Sequence, residues 1–285
     1  MEILNKVTNH FPIERKGSLE EALKEKKNNL NVIRLGAALL VIVDHAFPLA
    51  GRPHWLAARF GFTLGTIAVS TFFFLSGLLI ARSWNDDPNI KSFVLKRILR
   101  IFPGYWVAIL FCAYVVGPMV TTISLSEYFS SRATLSYAVH NALLFPIRYT
   151  LPGVFENNVY PQAVNGSIWT LPLEFFAYGC VIAIGLIGVL KYRKFSLLLL
   201  GGLAYINFHL VPDGKLVPPS FLLMSTIQLW ALLLPFCLGV VCFCYKDKIK
   251  LDANFASVAL AAFLLSLGTP FVDFTRVFFY GAMYC

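Results

Sequence analysis

Residues 60–81 read FGFTLGTIAVSTFFFLSGLLIA, and this stretch decides the fold class. It carries no charged residue, and an uninterrupted apolar run of about 18 residues or more is long enough to cross the hydrocarbon core of a bilayer. The same character recurs on both sides of it. A first span covers about residues 30–50, where Arg34, Asp44 and His45 interrupt it, and further runs cover 101–126, 175–190, 195–212, 216–245 and 253–272. A last apolar run begins near Val277 and stops at Cys285, so either it does not cross or the chain is truncated. The expected fold is all-α, a polytopic transmembrane helix bundle of about 8–10 membrane helices.

Composition agrees. Of 285 residues 58% are hydrophobic and 14% charged, and mean hydropathy is +0.69. Soluble domains carry about a quarter charged residues, so a disordered chain and a soluble globular enzyme are both excluded. The six cysteines all fall in apolar runs, without the spacing of a zinc site or a disulfide framework, and read as small apolar filler.

The net charge is +9. In a soluble domain that excess would raise nucleic-acid binding, but here the charges cluster between apolar runs, as the positive-inside rule orients membrane proteins. No nucleic-acid partner is expected. Lys and Arg gather in residues 1–29, 82–100, 191–194 and 246–250, which are assigned to the cytoplasmic side, whereas 51–60, 118–167 and 212–220 are poorer in them and face outward. That alternation requires the uncharged segment 133–147 to be re-entrant or to lie along the outer face. Residues 1–29 form a polar cytoplasmic segment without a cleavable signal peptide. Within it Leu19 and Leu23, with Leu30, have the spacing of a short amphipathic helix. Residues 30–285 form the membrane domain.

The first span holds the most informative polar residues. Arg34 and His45 are 11 residues apart, which places them within about 20° on a helix and about 16 Å apart along its axis. Ionisable groups are costly in a membrane and by default face a functional interior. The competing account has Arg34 snorkelling to headgroups while Asp44 and His45 sit at the far interface. An imidazole there suits proton transfer from a hydroxyl attacking an acyl thioester, or itself taking the acyl group. Asp44 lies about 100° away around the helix, so adjacency alone does not make it the partner of His45.

Three further stretches stand out. Phe72–Ile80 contains Ser76-Gly77, a small pair that permits close helix packing. Lys96–Pro103 puts Arg97 and Arg100 on one helix face, where paired guanidinium groups suit phosphate recognition, although the positive-inside rule alone also expects basic residues there. In Asn165–Phe175, Ser167 is placed to cap a helix, Pro172 suits a first turn, and Glu174 enters the membrane and needs a partner, for which Arg34 or His45 are candidates. No metal-ligand spacing and no phosphate-binding glycine loop occurs.

Together these four features, in this order and spacing, resemble the acyltransferase 3 family of integral membrane acyltransferases, firmly over about residues 30–185. The resemblance implies an O-acyltransferase that moves acyl groups, often acetyl, from cytoplasmic acyl-CoA to hydroxyls of exported or surface polysaccharides or glycolipids. It implies His45 as the catalytic histidine, Arg34 as its paired basic residue, Glu174 near the site, and Arg97, Arg100 and Ser76 on the acyl-CoA side. The donor would be acetyl-CoA or another acyl-CoA, without a metal. The partners would be membrane lipids and a carbohydrate acceptor, and the location a bacterial inner membrane with the N-terminus cytoplasmic. Full members continue with further spans, so the end at Cys285 raises the expectation of an incomplete C-terminal region. A permease whose path is lined by the same polar faces, and an inactive truncated member, stay open on the residues alone.

Overall fold

The computed structural model describes residues 17–25, 30–210 and 226–250, together with the helical positions Ala261 and Leu265. The expected spans at 253–272 and beyond Val277 fall outside the described residues. Apart from one antiparallel bridge between Ser18 and Lys250, regular structure among the described residues is helical, as expected from the long apolar runs.

The chain opens with α1 (Leu19–Lys24), α2 (Leu30–Leu49), α3 (Trp55–Phe60) and α4 (Leu64–Asp86). Next, α5 (Ile90–Phe111) runs on through a π-helical turn (Cys112–Val116) and a last α turn (Gly117–Val120). Two shorter helices, α6 (Leu125–Ser130) and α7 (Arg132–Ala142), precede a 3₁₀ turn (Gly166–Thr170) that leads into α8 (Leu171–Leu186). Then come α9 (Arg193–Tyr205) and α10 (Thr226–Cys244). Four helical stretches among the described residues are long and apolar enough to cross a membrane: 30–49, 64–86, 90–120 and 166–186.

The central helix is α4, the uncharged stretch that fixed the fold class. Phe73, Phe74, Leu75, Leu78, Ile80 and Ala81 are all buried, with α2 on one flank and α10 on the other. Its crossing with α10 depends on two glycines. A Cβ on Gly77 would run into the backbone carbonyl of Phe236, and one on Gly239 into that of Phe74. Each helix thus lends a glycine to the other's backbone, the close approach that small residues permit between membrane helices. Gly77 therefore serves helix packing.

One boundary differs from the sequence expectation. The basic segment 91–100 is not a loop before a span starting at 101; it forms the first turns of α5. Hydropathy falls where Lys and Arg accumulate, but both residues are good helix formers. The link is only Asp87, Pro88 and Asn89. Asn89 caps α5 by accepting from the Ser92 amide (3.1 Å), and Asp87 accepts from Lys96 Nζ (2.7 Å) and Ser92 Oγ (2.5 Å).

The other end of α5 is also determined locally. A π turn shifts the backbone ladder by one residue, with the Gly117 amide donating to Cys112, and the Ala113 carbonyl accepts from the buried Tyr128 hydroxyl (2.7 Å). Gly117 lies against that hydroxyl. Around it Tyr105, Ile109, Tyr128, Tyr137, Leu151 and Val154 form a second core under the 118–165 segment. Residues 133–147 do not form one long helix: α7 is about 16 Å long and ends in a loop where Asn141 brackets Arg148, donating to its carbonyl (2.8 Å) and accepting from its amide (2.9 Å).

The four basic segments meet at one end of the bundle. Arg193 pairs with Asp247 (2.7 Å) and lies over the Tyr245 ring, Arg82 donates to the Leu23 carbonyl, and Lys246 approaches Glu20 (3.9 Å). The amphipathic helix anticipated near Leu19 forms as α1, closed by a capping box between Ser18 and Glu21, with Leu19 and Leu23 buried. Leu30, grouped with it on spacing, instead starts α2. The amides of Leu19 and Glu20 donate to Ile249 and Lys246 (2.9 and 3.1 Å), so α1 is docked against the turn that follows α10.

Candidate functional site

Helices from distant parts of the chain bring charged and polar groups together in the half of the bundle nearest the basic face. Phe102 of α5 packs edge-on against Phe175 of α8, ring centroids 5.4 Å apart. That contact sets Arg97 and Arg100 beside Tyr178, and both cations act electrostatically on its hydroxyl. The Tyr178 hydroxyl donates to Glu174 Oε2 (3.0 Å), one helical turn deeper. The charges acting on Glu174 are those of Arg100 and then Arg34. Its partners are therefore Tyr178 and two arginines; His45 is not among them. Arg34 is half-buried and faces this carboxylate, which disfavours the snorkelling account.

The two arginines of α5 differ. Arg97 is half-buried, donates from Nη2 to Ser83 Oγ (2.8 Å) and lies over the Phe93 ring (5.3 Å). Its Nε is buried and has no hydrogen-bond partner among the described residues. Arg100 is exposed. One guanidinium is thus fixed by the scaffold and the other is available at the surface. Ser76 is half-buried beside the Gly77 crossing, and among the described residues no hydrogen bond joins it to the arginines.

His45 lies toward the opposite end of α2 and is exposed. Asp44, next to it, turns elsewhere. Its carboxylate accepts from Thr63 Oγ1 (3.1 Å), the residue that caps α4, and lies 3.6 Å from His54 Nδ1. Gly65, in the first turn of α4, leaves room for it: a Cβ there would meet the carboxylate. His54 packs against Phe47, ring centroids 5.3 Å apart. Two polar groups therefore occupy one bundle. Arg34, Arg97, Arg100, Glu174 and Tyr178 are near the basic face, and Asp44, His45, His54 and Thr63 are near the other, joined by the length of α2.

Ser167 does not cap as expected. Its hydroxyl donates to Asn165 Oδ1 (2.8 Å) ahead of a 3₁₀ turn, while Pro172 does fall in the first turn of α8. The sequence reasoning did not single out Tyr178, Ser83, Thr63 or His54. Tyr178 was findable, being four residues from Glu174 and so on the same helix face; Ser83, Thr63 and His54 gain their places only from tertiary packing.

The arrangement of a paired arginine motif, a buried-side carboxylate and a distal histidine on one helix is now joined by direct comparison. The acyltransferase domain model matches residues 27–284. The chain belongs to the acyltransferase 3 family. It is 31% identical over 215 residues to the O-acetyl transferase of Shigella phage Sf6, covering 72% of this chain and 58% of that protein. It is 30% identical over 174 residues to Nodulation protein 10 of Rhizobium leguminosarum bv. viciae, covering 57% and 45%. Acyltransferase MdmB of Streptomyces mycarofaciens is 39% identical over 54 residues, covering 19% and 14%. The chain spans about half the length of the first two relatives it matches. No solved structure matches this acyltransferase family member.

Proposed function

We propose that the protein is a membrane O-acyltransferase that takes an acyl group, acetyl in the simplest case, from acyl-CoA on the basic face and passes it to a hydroxyl of an exported or surface carbohydrate on the other. The observation that carries this is the division of polar groups along α2. Arg34 stands with Arg97, Arg100 and Glu174 at one end, and His45 stands at the other, about 16 Å along the axis. The positive-inside rule makes the basic face cytoplasmic, where acyl-CoA is found.

Coenzyme A is anionic and has several phosphates. Arg100 is exposed to meet one, and Arg97 has a buried N–H without an acceptor among the described residues, so a guanidinium pair suited to phosphate stands there. The Glu174 carboxylate, held by the Tyr178 hydroxyl, acts on Arg100 and Arg34 by charge. An acyl-pantetheine arm reaching along α2 would bring its thioester to His45, whose imidazole is suited to proton transfer or to taking the acyl group. The family membership and the name of the phage relative support O-acetyl transfer, and the inner membrane of a bacterium is the matching location.

The test is transfer of labelled acetyl from acetyl-CoA into surface polysaccharide, in membranes bearing the 285-residue chain or its His45→Ala variant at matched amounts. Transfer that disappears in the variant supports the proposal. Undiminished transfer removes His45 from the mechanism, and uptake of unmodified solute without acylation would favour the permease.

A further inference from the structure

The carboxylate of Asp44 faces His54, on the loop beyond α2, and among the described residues makes no hydrogen bond to its sequence neighbour His45. We propose that the two imidazoles share the chemistry: His45 receives the acyl group, and His54, oriented by Asp44, removes the proton of the acceptor hydroxyl. The inference rests on the acyltransferase function proposed above and assigns that site a second histidine.

The geometry distinguishes the two rings. Asp44 Oδ1 lies 3.6 Å from His54 Nδ1, just beyond hydrogen-bond length, as catalytic pairs commonly stand before substrate tightens them. The carboxylate is itself held by the Thr63 hydroxyl at 3.1 Å and accommodated by Gly65. A carboxylate facing Nδ1 selects the tautomer with the proton on that nitrogen. The Nε2 lone pair is then turned away from Asp44 and accepts a proton from a hydroxyl. The Phe47 ring packs on the imidazole, and the side chain is 26% accessible, enough for a substrate atom to reach it. His45 is exposed and, among the described residues, has no carboxylate or hydroxyl set against it. A general base normally has a group that orients it, and a nucleophile needs an open approach. On this criterion His54 is the base and His45 the acyl carrier.

The steps balance. A neutral His45 nitrogen bonds to the thioester carbonyl carbon as the carbon–sulfur bond breaks, giving an acyl-imidazolium and the thiolate of coenzyme A. The acceptor hydroxyl oxygen then bonds to the same carbon as the carbon–nitrogen bond breaks, which returns neutral His45. The hydroxyl proton goes to His54 Nε2 and from there to water at that face. The thiolate takes a proton from water at the basic face.

The experiment measures two outputs in parallel from labelled acetyl-CoA and membranes containing the expressing cells' own surface polysaccharide: thiol release, which reports cleavage of the donor, and label in the polysaccharide. Wild type, His45→Ala, His54→Gln and Asp44→Asn are compared in membranes carrying equal amounts of the protein, each variant being monodisperse when solubilised from the same membranes. Removing a general base costs about 10²–10⁴-fold. His54→Gln is therefore expected to lose at least about 100-fold in polysaccharide labelling and much less in thiol release, the acyl group being lost to water instead. Asp44→Asn shows the same split in weaker form, and His45→Ala loses both outputs. Labelling by His54→Gln at the wild-type rate overturns the proposal, and so does a parallel loss of both outputs, which marks a merely structural residue. A wild type that neither cleaves donor nor labels polysaccharide overturns the underlying function, and with it this division of roles.

Discussion

The hydroxyl of Tyr178 donates to Glu174 across one turn of α8 at 3.0 Å, and this pair lies where the charges of α2 and α5 converge. Hydrogen bonds to a charged group contribute about 1.5–3 kcal/mol, so Tyr178→Phe is expected to slow acyl transfer by about 10–100-fold with the protein still folded. The rate of acetyl transfer at matched expression checks this. A Tyr178→Phe enzyme within twofold of wild type would show that the carboxylate is held by the arginines alone.

Arg97 is fixed by Ser83 and by the Phe93 ring, contacts that need a planar guanidinium. Lysine keeps the charge and loses both the fork and the stacking. Arg97→Lys is expected to raise the KM for acyl-CoA by about tenfold, the equivalent of about 1.4 kcal/mol, with a smaller change in kcat. A steady-state titration of acyl-CoA separates the two parameters, and a kcat loss at constant KM would place Arg97 elsewhere in the cycle.

The α4–α10 crossing gives a stability prediction. Gly77→Ala and Gly239→Ala each press a methyl group into a backbone carbonyl, and overpacking costs about 1–3 kcal/mol. Thermal unfolding of the solubilised protein should show both variants destabilised. Gly179→Ala, where the added methyl meets nothing within 4 Å, is the control and should unfold near wild type.

Tyr128→Phe leaves the Ala113 carbonyl buried without its donor. An unsatisfied buried acceptor costs about 1–3 kcal/mol. A corresponding fall in thermal stability is expected, and hydrogen exchange should rise locally at 112–117, the π turn, leaving the basic end unchanged.

The Asp87–Lys96 turn has a defined pH dependence. The Lys96 hydrogen bond, with that of Ser92, holds the Asp87 carboxyl below the usual carboxylate range. Its folded pKa is depressed, so its stabilising effect is complete above the unfolded value of about 3.9 and disappears as pH falls through the folded value. Asp87→Asn should therefore lower the unfolding temperature at pH 7, and the gap should close in strong acid. A gap independent of pH would mean that the aspartate acts there through shape alone.

Some of this was legible in the sequence because it follows from composition and period. The uncharged run at 60–81 identified the central helix, and Leu19 and Leu23 announced α1. The convergence of four basic segments on one face repeats the charge pattern between the spans. The start of α5 was missed because charge lowers hydropathy without stopping a helix. The site divides along the same line. Arg34 and Glu174 were identified because ionisable groups in apolar sequence are conspicuous, Arg97 and Arg100 because their spacing puts them on one helix face, and the structure brings these four together. His45 was chosen, like Arg34, as an ionisable group in apolar sequence, and the structure leaves it apart from them. The partner of Asp44 was not legible, since a carboxylate between two histidines in one stretch of chain chooses by the turn of the helix and by the path of the 50–63 loop. Ser76 was singled out together with Gly77, and it is Gly77 whose place the Phe236 backbone explains.

The docking of α1 also bears on how the protein is made. The backbone amides of Leu19 and Glu20 are satisfied by carbonyls of Ile249 and Lys246, among the last described residues to leave the ribosome. During synthesis, Leu19 and Leu23 therefore wait in the aqueous compartment with their apolar side chains uncovered while helix after helix is inserted. The helix can close only after α10 has been placed with its C-terminal end on the same side. A nascent chain with one helix threaded the wrong way would leave this leucine pair uncovered, whereas a correctly threaded one conceals it.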